Sequence, residues 1–302
     1  MLDRRVTWAV VVWAGMLSAA WGQGEFPKEW GKWVAYGHNS VFKAKGEGWE
    51  VKLRERGWIL KEGNVYRMWY TGYDGTREGK KQVGYALSSD GLHWTRHPEN
   101  PIFGQLWTED MMVVKHDGTY YMFAEGEQDI AHLLTSKDGM RWQPAGPLDI
   151  RLADGKPIPP GPRGTPAVWV ENGTWYLYYE RRDAGIWLAT SRDLKVWTNV
   201  QDKPVIALGP DKYDQHAVAM NQIIKHEGKY YGVYHASDSD QPGRLWTTNL
   251  AVSDDLIHWR KHPKNPILGD NKSSGLLIHD GTQFRLYTMH DTVQVHFPTA
   301  DK

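Results

Sequence analysis

Acids recur at two kinds of place in this 302-residue chain: just ahead of apolar runs and just after doubled aromatics. Asp110 opens the run in WTEDMMVV and Glu55 precedes the run in RERGWIL, whereas Glu125 closes TYYMFAE and Glu180 closes TWYLYYE. Crowded, partly buried carboxyls push some of their number toward the protonated form while others stay ionised. Acetal cleavage uses that division, one group protonating the leaving oxygen and another activating water or attacking carbon. The expected base is Asp110 and the expected acid Glu180, flanked by Arg181 and Arg182, with Glu125 and Glu55 as further candidates. KYDQHAV adds His216, and KYYGVYHA ends on His235, an expected substrate contact. Trp107, Tyr73, Arg163, Arg181 and Arg182 are the remaining candidate sugar contacts, since flat rings stack on sugars and guanidinium forks hold hydroxyls or acids.

These residues meet only if a repeated element carries them to one place. SSDGLHW at Ser88 to Trp94 returns as TSKDGMRW, TSRDLKVW and VSDDLIHW, each after an aromatic segment. Each unit runs from an apolar stretch through a polar turn to an alternating aromatic strand, as in MMVVKHDGTYYMF and AVWVENGTWYLYY. The turns HDG, ENG and HEG supply the left-handed backbone of a tight hairpin. A fixed period of such units is the mark of a repeat architecture, and four-stranded units fit propeller blades. The fold expected is all-β, a five-bladed propeller with blades at about 49 to 104, 107 to 148, 163 to 208, 214 to 269 and 273 to 297. The last unit lacks its outer strand, so Trp33 to Phe42 is expected to pair with it and close the ring. Residues 149 to 166 read as a long interblade loop because of their Pro and Gly density. Counting back from each aromatic pair aligns Glu55, Asp110, Thr165, Met220 and Ser273 at one mouth of the ring. The Asp residues of the recurrent phrase read as turn formers, and Trp94, Trp142, Trp197 and Trp259 as packing.

Lys plus Arg number 36 against 36 Asp plus Glu, with no long run of one sign. That balance is unlike the footprint of a nucleic-acid binder. No glycine-rich phosphate loop follows a strand, so no nucleotide cofactor is expected, and HExxH and GxSxG are absent. Cysteine is absent as well, which removes disulfides and thiol chemistry. No cofactor is required by the reading, although His235, His290, Asp238 and Asp291 leave room for a structural Ca2+ in the channel. MLDRR followed by VTWAVVVWAGMLSAA has the form of a secretory signal peptide over residues 1–22, giving a secreted or periplasmic domain over 23–302. An uncleaved segment would instead anchor the chain to a membrane.

The phrases GKYYGVYHA, GTYYMFAEG, GTWYLYYE and ATSRDLKVW resemble those of the five-bladed propeller glycoside hydrolase superfamily over about residues 49 to 297. That superfamily includes the arabinanase and β-xylosidase group, the invertase group, the anhydrogalactosidases and the mannoside phosphorylases. The resemblance implies a glycoside hydrolase acting on an oligo- or polysaccharide. Trp107-Thr108-Glu109-Asp110 is a loose partner of the arabinanase group's Trp-Ala-Pro-Asp phrase. The Ala-Asp-Pro phrase is absent at Arg54-Glu55-Arg56, and no clear match to the Glu-Gly-Pro phrase occurs. The histidine acid of anhydrogalactosidase-like enzymes puts His216 and His235 among the candidates. Fold alone does not fix function; a non-catalytic carbohydrate-binding propeller, a phosphorylase and a polysaccharide lyase stand as alternatives.

Overall fold

Two-residue turns with positive φ join the aromatic hairpins: Asp117 and Gly118 at 47° and 71°, Asn172 and Gly173 at 52° and 71°, Glu227 and Gly228 at 48° and 81°. This backbone twist matches that of the flanking strands. The computed structural model describes residues 25–299. The expected leader at 1–22 lies outside them. Among the described residues the only helices are three short 3-10 turns, and none is long and apolar enough to cross a membrane.

The strands form five sheets, one per blade, and the chain is an all-β five-bladed propeller. Blade one pairs Trp58–Glu62 with Val65–Tyr73, followed by Gln82–Ser88 and Thr95–Arg96; Lys52–Leu53 extends its inner side. Blade two consists of Glu109–His116, Thr119–Glu125, Ala131–Ser136 and Gln143–Pro147. Blade three contains Gly164–Glu171, Thr174–Glu180, Gly185–Ser191 and Val196–Asn199; blade four contains Ala217–His226, Lys229–Ser237, Thr247–Ser253 and Trp259–Lys261. Blade five has Gly275–His279, Phe284–Met289 and Val293–Pro298, and Trp33–Ala35 supplies its fourth strand. In that closure Trp33 pairs with Pro298 and Ala35 with His296, antiparallel. Joining the chain ends covers an edge that would otherwise present unpaired backbone groups.

One expectation needs correction. The segment after residue 148 is not wholly loop: Asp149–Arg151 runs parallel to Val196–Asn199 and becomes the outermost strand of blade three.

The recurrent Ser-x-Asp phrase folds as expected of a turn. In blade one, Ser88 Oγ accepts the Gly91 N–H at 2.8 Å while Asp90 Oδ1 accepts from Leu92 and His93. Asp138, Asp193 and Asp255 repeat the pattern. These turns also latch blades together. Trp69 of blade one donates its indole N–H to Gly139 O of blade two, Tyr178 of blade three its hydroxyl to Leu256 O of blade four, and Tyr287 of blade five to Gly91 O of blade one. All three aromatic donors are buried.

Candidate functional site

The inner strands do not begin as ideal ladders. Register shifts separate Glu109 from Met112, Gly164 from Ala167 and Met220 from Gln222. Such bulges re-aim side chains where a strand ends. Arg56, Asp110, Thr165 and Ser274 occupy the left-handed region at φ 57°, 47°, 48° and 56°. That conformation costs a non-glycine residue, most of all the β-branched Thr165. The structural equivalents of Asp110 in blades one and five are therefore Arg56 and Ser274, one residue beyond the Glu55 and Ser273 reached by counting.

A cavity of about 160 Å³ opens at this mouth, lined by residues from four blades. Blade one contributes Arg54 and Glu55; blade two Asp110, Glu125 and Asp129; blade three Thr165, Glu180, Arg182 and Asp183; blade four His235, Arg244 and Trp246. Blade five touches it through His290, whose Nδ1 lies 3.1 Å from Glu55 Oε2. Beneath the acids lies the buried Arg56. It donates to Asp110 O at 3.0 Å and Pro166 O at 2.7 Å, tying the bulges of blades two and three together. Burial lowers its guanidinium pKa to about 10, against the pull of the surrounding carboxylates.

Asp110 is buried, and its Oδ1 has no hydrogen-bond partner. Burial, then the charges of Glu55 and Glu109, push its carboxyl well above the usual carboxylate range, favouring the protonated form. The expectation for Asp110 was the opposite, an ionised base. Glu125 is pushed the same way by burial and by Asp110. Its Oε2 accepts the Thr165 N–H at 2.8 Å. Glu180 is raised by burial and Asp183 to about 7, restrained by N–H groups that favour its charged form. Those donors are Gly164, at 3.2 Å, and Asp183. Neither Arg181 nor Arg182 forms an ion pair with Glu180 among the described residues. Glu55 is different: burial opposes its charge, yet the His290 hydrogen bond and the Arg54 guanidinium outweigh that and bring it to about 2. His235 is lowered to about 3 by burial and stays neutral, with Nδ1 3.2 Å from Asn221 Nδ2 and its ring edge-on to Trp246.

Gly164 stands between two of the acids. A Cβ there would lie 2.0 Å from Glu125 Oε2 and 2.9 Å from Glu180 Oε1. These near oxygens are therefore within about 5 Å of each other, so Glu180 is seated directly against Glu125.

The structure thus brings Asp110, Glu125, Glu180, Glu55, Arg182 and His235 to one cavity. His216 is exposed and outside its lining, and Asp214 is buried in an ion pair with Lys261. Trp107 and Tyr73 each turn a ring to Lys81, whose Nζ is 4.2 Å and 4.5 Å from the two centroids. Trp107 instead faces a groove with Lys80, Glu127 and His132. Arg181 lies in a neighbouring cleft, and the Arg163 backbone joins the Asp129 loop. Sequence reasoning missed Arg54, Arg56, Asp129, Asp183, Arg244 and Trp246 as site residues. For Asp129 and Asp183 a clue existed: each follows a strand-ending Glu, in EGEQD and ERRD. Among the described residues no group of three or more His, Asp or Glu is arranged to hold a metal ion.

No family model matches the chain. A glycosyl hydrolase from Bacteroides ovatus superposes with a TM-score of 0.74 at 18% identity, covering 90% of this chain and 95% of that one. The chain shares the fold of glycoside hydrolase propellers. A second structure comes from the GH130 family of mannoside phosphorylases, a family containing glycoside hydrolases that target β-1,2 mannosidic linkages in Candida mannan. It has a TM-score of 0.72 at 15% identity, covering 89% and 96% of the two chains. In sequence, a 1,2-β-oligomannan phosphorylase of Thermoanaerobacter sp. (strain X514) is 29% identical over 238 residues, 70% of this chain and 76% of that protein.

Proposed function

We propose that this propeller is a glycoside hydrolase in which Asp110 donates the proton and Glu180 acts as the ionised partner. One observation carries the reading: two carboxyls from adjacent blades share a cavity, Asp110 buried with no donor on Oδ1 and Glu180 held by two backbone N–H groups that favour its charge. The buried, unpartnered Asp110 Oδ1 is tolerable when the carboxyl is uncharged, and the residue lines the cavity where a leaving-group oxygen would lie. Glu180 accepts two backbone N–H groups, which fix its geometry and favour its charge. Above neutrality it activates water or attacks the anomeric carbon. Glu125, held protonated, adds no negative charge beside Asp110 and Glu180 and presents its other oxygen to a sugar hydroxyl.

Phosphorolysis is the second reading, favoured by the oligomannan phosphorylase relative. Lining charge argues for water. Six carboxyls face the cavity against the guanidiniums of Arg54, Arg182 and Arg244. Arg54 is already paired with Glu55 and Glu109, and Arg244 with Asp183 at 2.7 Å. Of the three guanidiniums only Arg182 is left to receive a free phosphate ion, beside the ionised Glu55.

The test is release of reducing ends from a glycan panel that includes β-1,2-mannooligosaccharides, with and without inorganic phosphate. Hydrolysis is expected without phosphate, and Asp110→Asn is expected to lower kcat/KM by about 10² to 10⁴, the worth of a positioned proton donor. Turnover that requires phosphate and yields a sugar 1-phosphate would establish the second reading. Undiminished turnover by Asp110→Asn would remove Asp110 from the chemistry.

A further inference from the structure

Beside the acidic cavity lies a cleft of about 350 Å³ lined by Pro160, Gly161, Pro162, Arg181, Arg182 and Trp187. Arg182 belongs to both linings, so the cleft adjoins the cavity. Its chemistry is the reverse of its neighbour's, with two guanidiniums, one indole and no carboxylate in the lining. Arg54, Arg67, Arg96, Arg244, Arg260 and Arg285 all hold carboxylates. Among the described residues Arg181 and Arg182 hold none; Arg181 reaches only the Pro159 carbonyl, at 3.4 Å. The walls are set by local sequence. Prolines stiffen 160–162, and Arg182 and Asp183, at φ 55° and 58°, turn the chain sharply after the strand ending at Glu180. Trp187, on the next strand, is half-buried, leaving part of its indole accessible.

Adjacent unpaired guanidiniums recognise an oxyanion through parallel N–H bonds, and an indole face accepts the C–H face of a sugar ring. The cleft has room for a whole ring rather than for a bare oxyanion. We propose that Arg181, Arg182 and Trp187 form a subsite for a sugar bearing an anionic group, a carboxylate or a sulfate ester, next to the bond cleaved over Asp110 and Glu180. The proposal rests on the glycosidase reading for its catalytic consequence, not for binding. It assigns the substrate class as an acidic glycan, with its charge outside the carboxylate cavity, where it would be repelled.

Binding is measured first, by calorimetry on full-length Asp110→Asn, with matched neutral, uronate-containing and sulfated oligosaccharides and with inorganic phosphate alone. An anionic oligosaccharide should bind at least about tenfold more tightly than its neutral counterpart, as charged hydrogen bonds imply. Arg181→Gln and Trp187→Ala should each remove most of that preference, and added salt should weaken it. The uronate and sulfate arms tell which group is taken. If acidic oligosaccharides bind this way but no glycan is cleaved by wild type, the subsite stands and the hydrolase reading fails. Equal binding of neutral and acidic glycans, or unchanged preference in Arg181→Gln, overturns the subsite. Tight binding of phosphate alone, lost in Arg181→Gln, overturns it in favour of an inorganic anion site.

Discussion

At the residue scale the protein invests stability in its carboxyls. The Glu180 pKa rises from the ordinary 4.5 to about 7 on folding. The folded state therefore binds that proton more tightly than the unfolded chain. Its contribution is most favourable below pH 4.5 and is lost as pH rises toward 7. Urea denaturation of wild type beside Glu180→Gln isolates this contribution: the stability advantage of wild type over the variant should shrink as pH rises from 4.5 toward 7. Gly164 tests the seating of Glu180 against Glu125. In Gly164→Ala the added Cβ must displace Glu125 or Glu180, so kcat/KM is expected to drop by about 10² even though neither acid is changed, as misplacement by about 1 Å does. Activity equal to wild type would mean that the seating of Glu180 is unimportant. Only part of this was legible beforehand. Asp110, Glu125 and Glu180 could be chosen because they stand at strand ends. Burial could not be read, so Asp110 was expected to be ionised when its surroundings favour the proton.

At the element scale the hairpins were legible because their turn chemistry is local: Asp-Gly and Asn-Gly need no distant partner. The outer strand Asp149–Arg151 was not, because its parallel pairing with Val196–Asn199 joins segments far apart in sequence and leaves no hairpin turn. The one-residue displacement of Glu55 and Ser273 was not legible either: a bulge shifts the register at the strand starts of blades two, three and four but not of blades one and five, and the apolar pattern that was counted does not show which. The blade latches make the repeated turns testable. Tyr178→Phe leaves the Leu256 carbonyl without its donor in a buried site, and should lower unfolding free energy by about 1–3 kcal/mol in chemical denaturation. A change within error would show that the hydroxyl does not tie blade three to blade four.

At the scale of the molecule, ring closure through Trp33–Ala35 makes the site a property of the whole chain. Asp110 and Glu180 belong to separate sheets, Arg56 of a third blade ties the bulges beneath them, and His235 and Arg244 complete the wall from a fourth. Five blades could be foreseen from the repeat; how their loops share protons could not, since it depends on distances across the axis. The pH dependence of kcat/KM on a cleaved glycan, for wild type beside Glu180→Gln and Asp110→Asn, reads this sharing most directly. Water attack with Asp110 protonated and Glu180 ionised predicts a bell: rate rising through about pH 7 as Glu180 loses its proton, then falling where Asp110 loses its own. The rising limb should vanish in Glu180→Gln and the falling limb in Asp110→Asn, each with greatly reduced rates. A wild-type profile flat through pH 7, or one that keeps both limbs in the variants, would contradict the account.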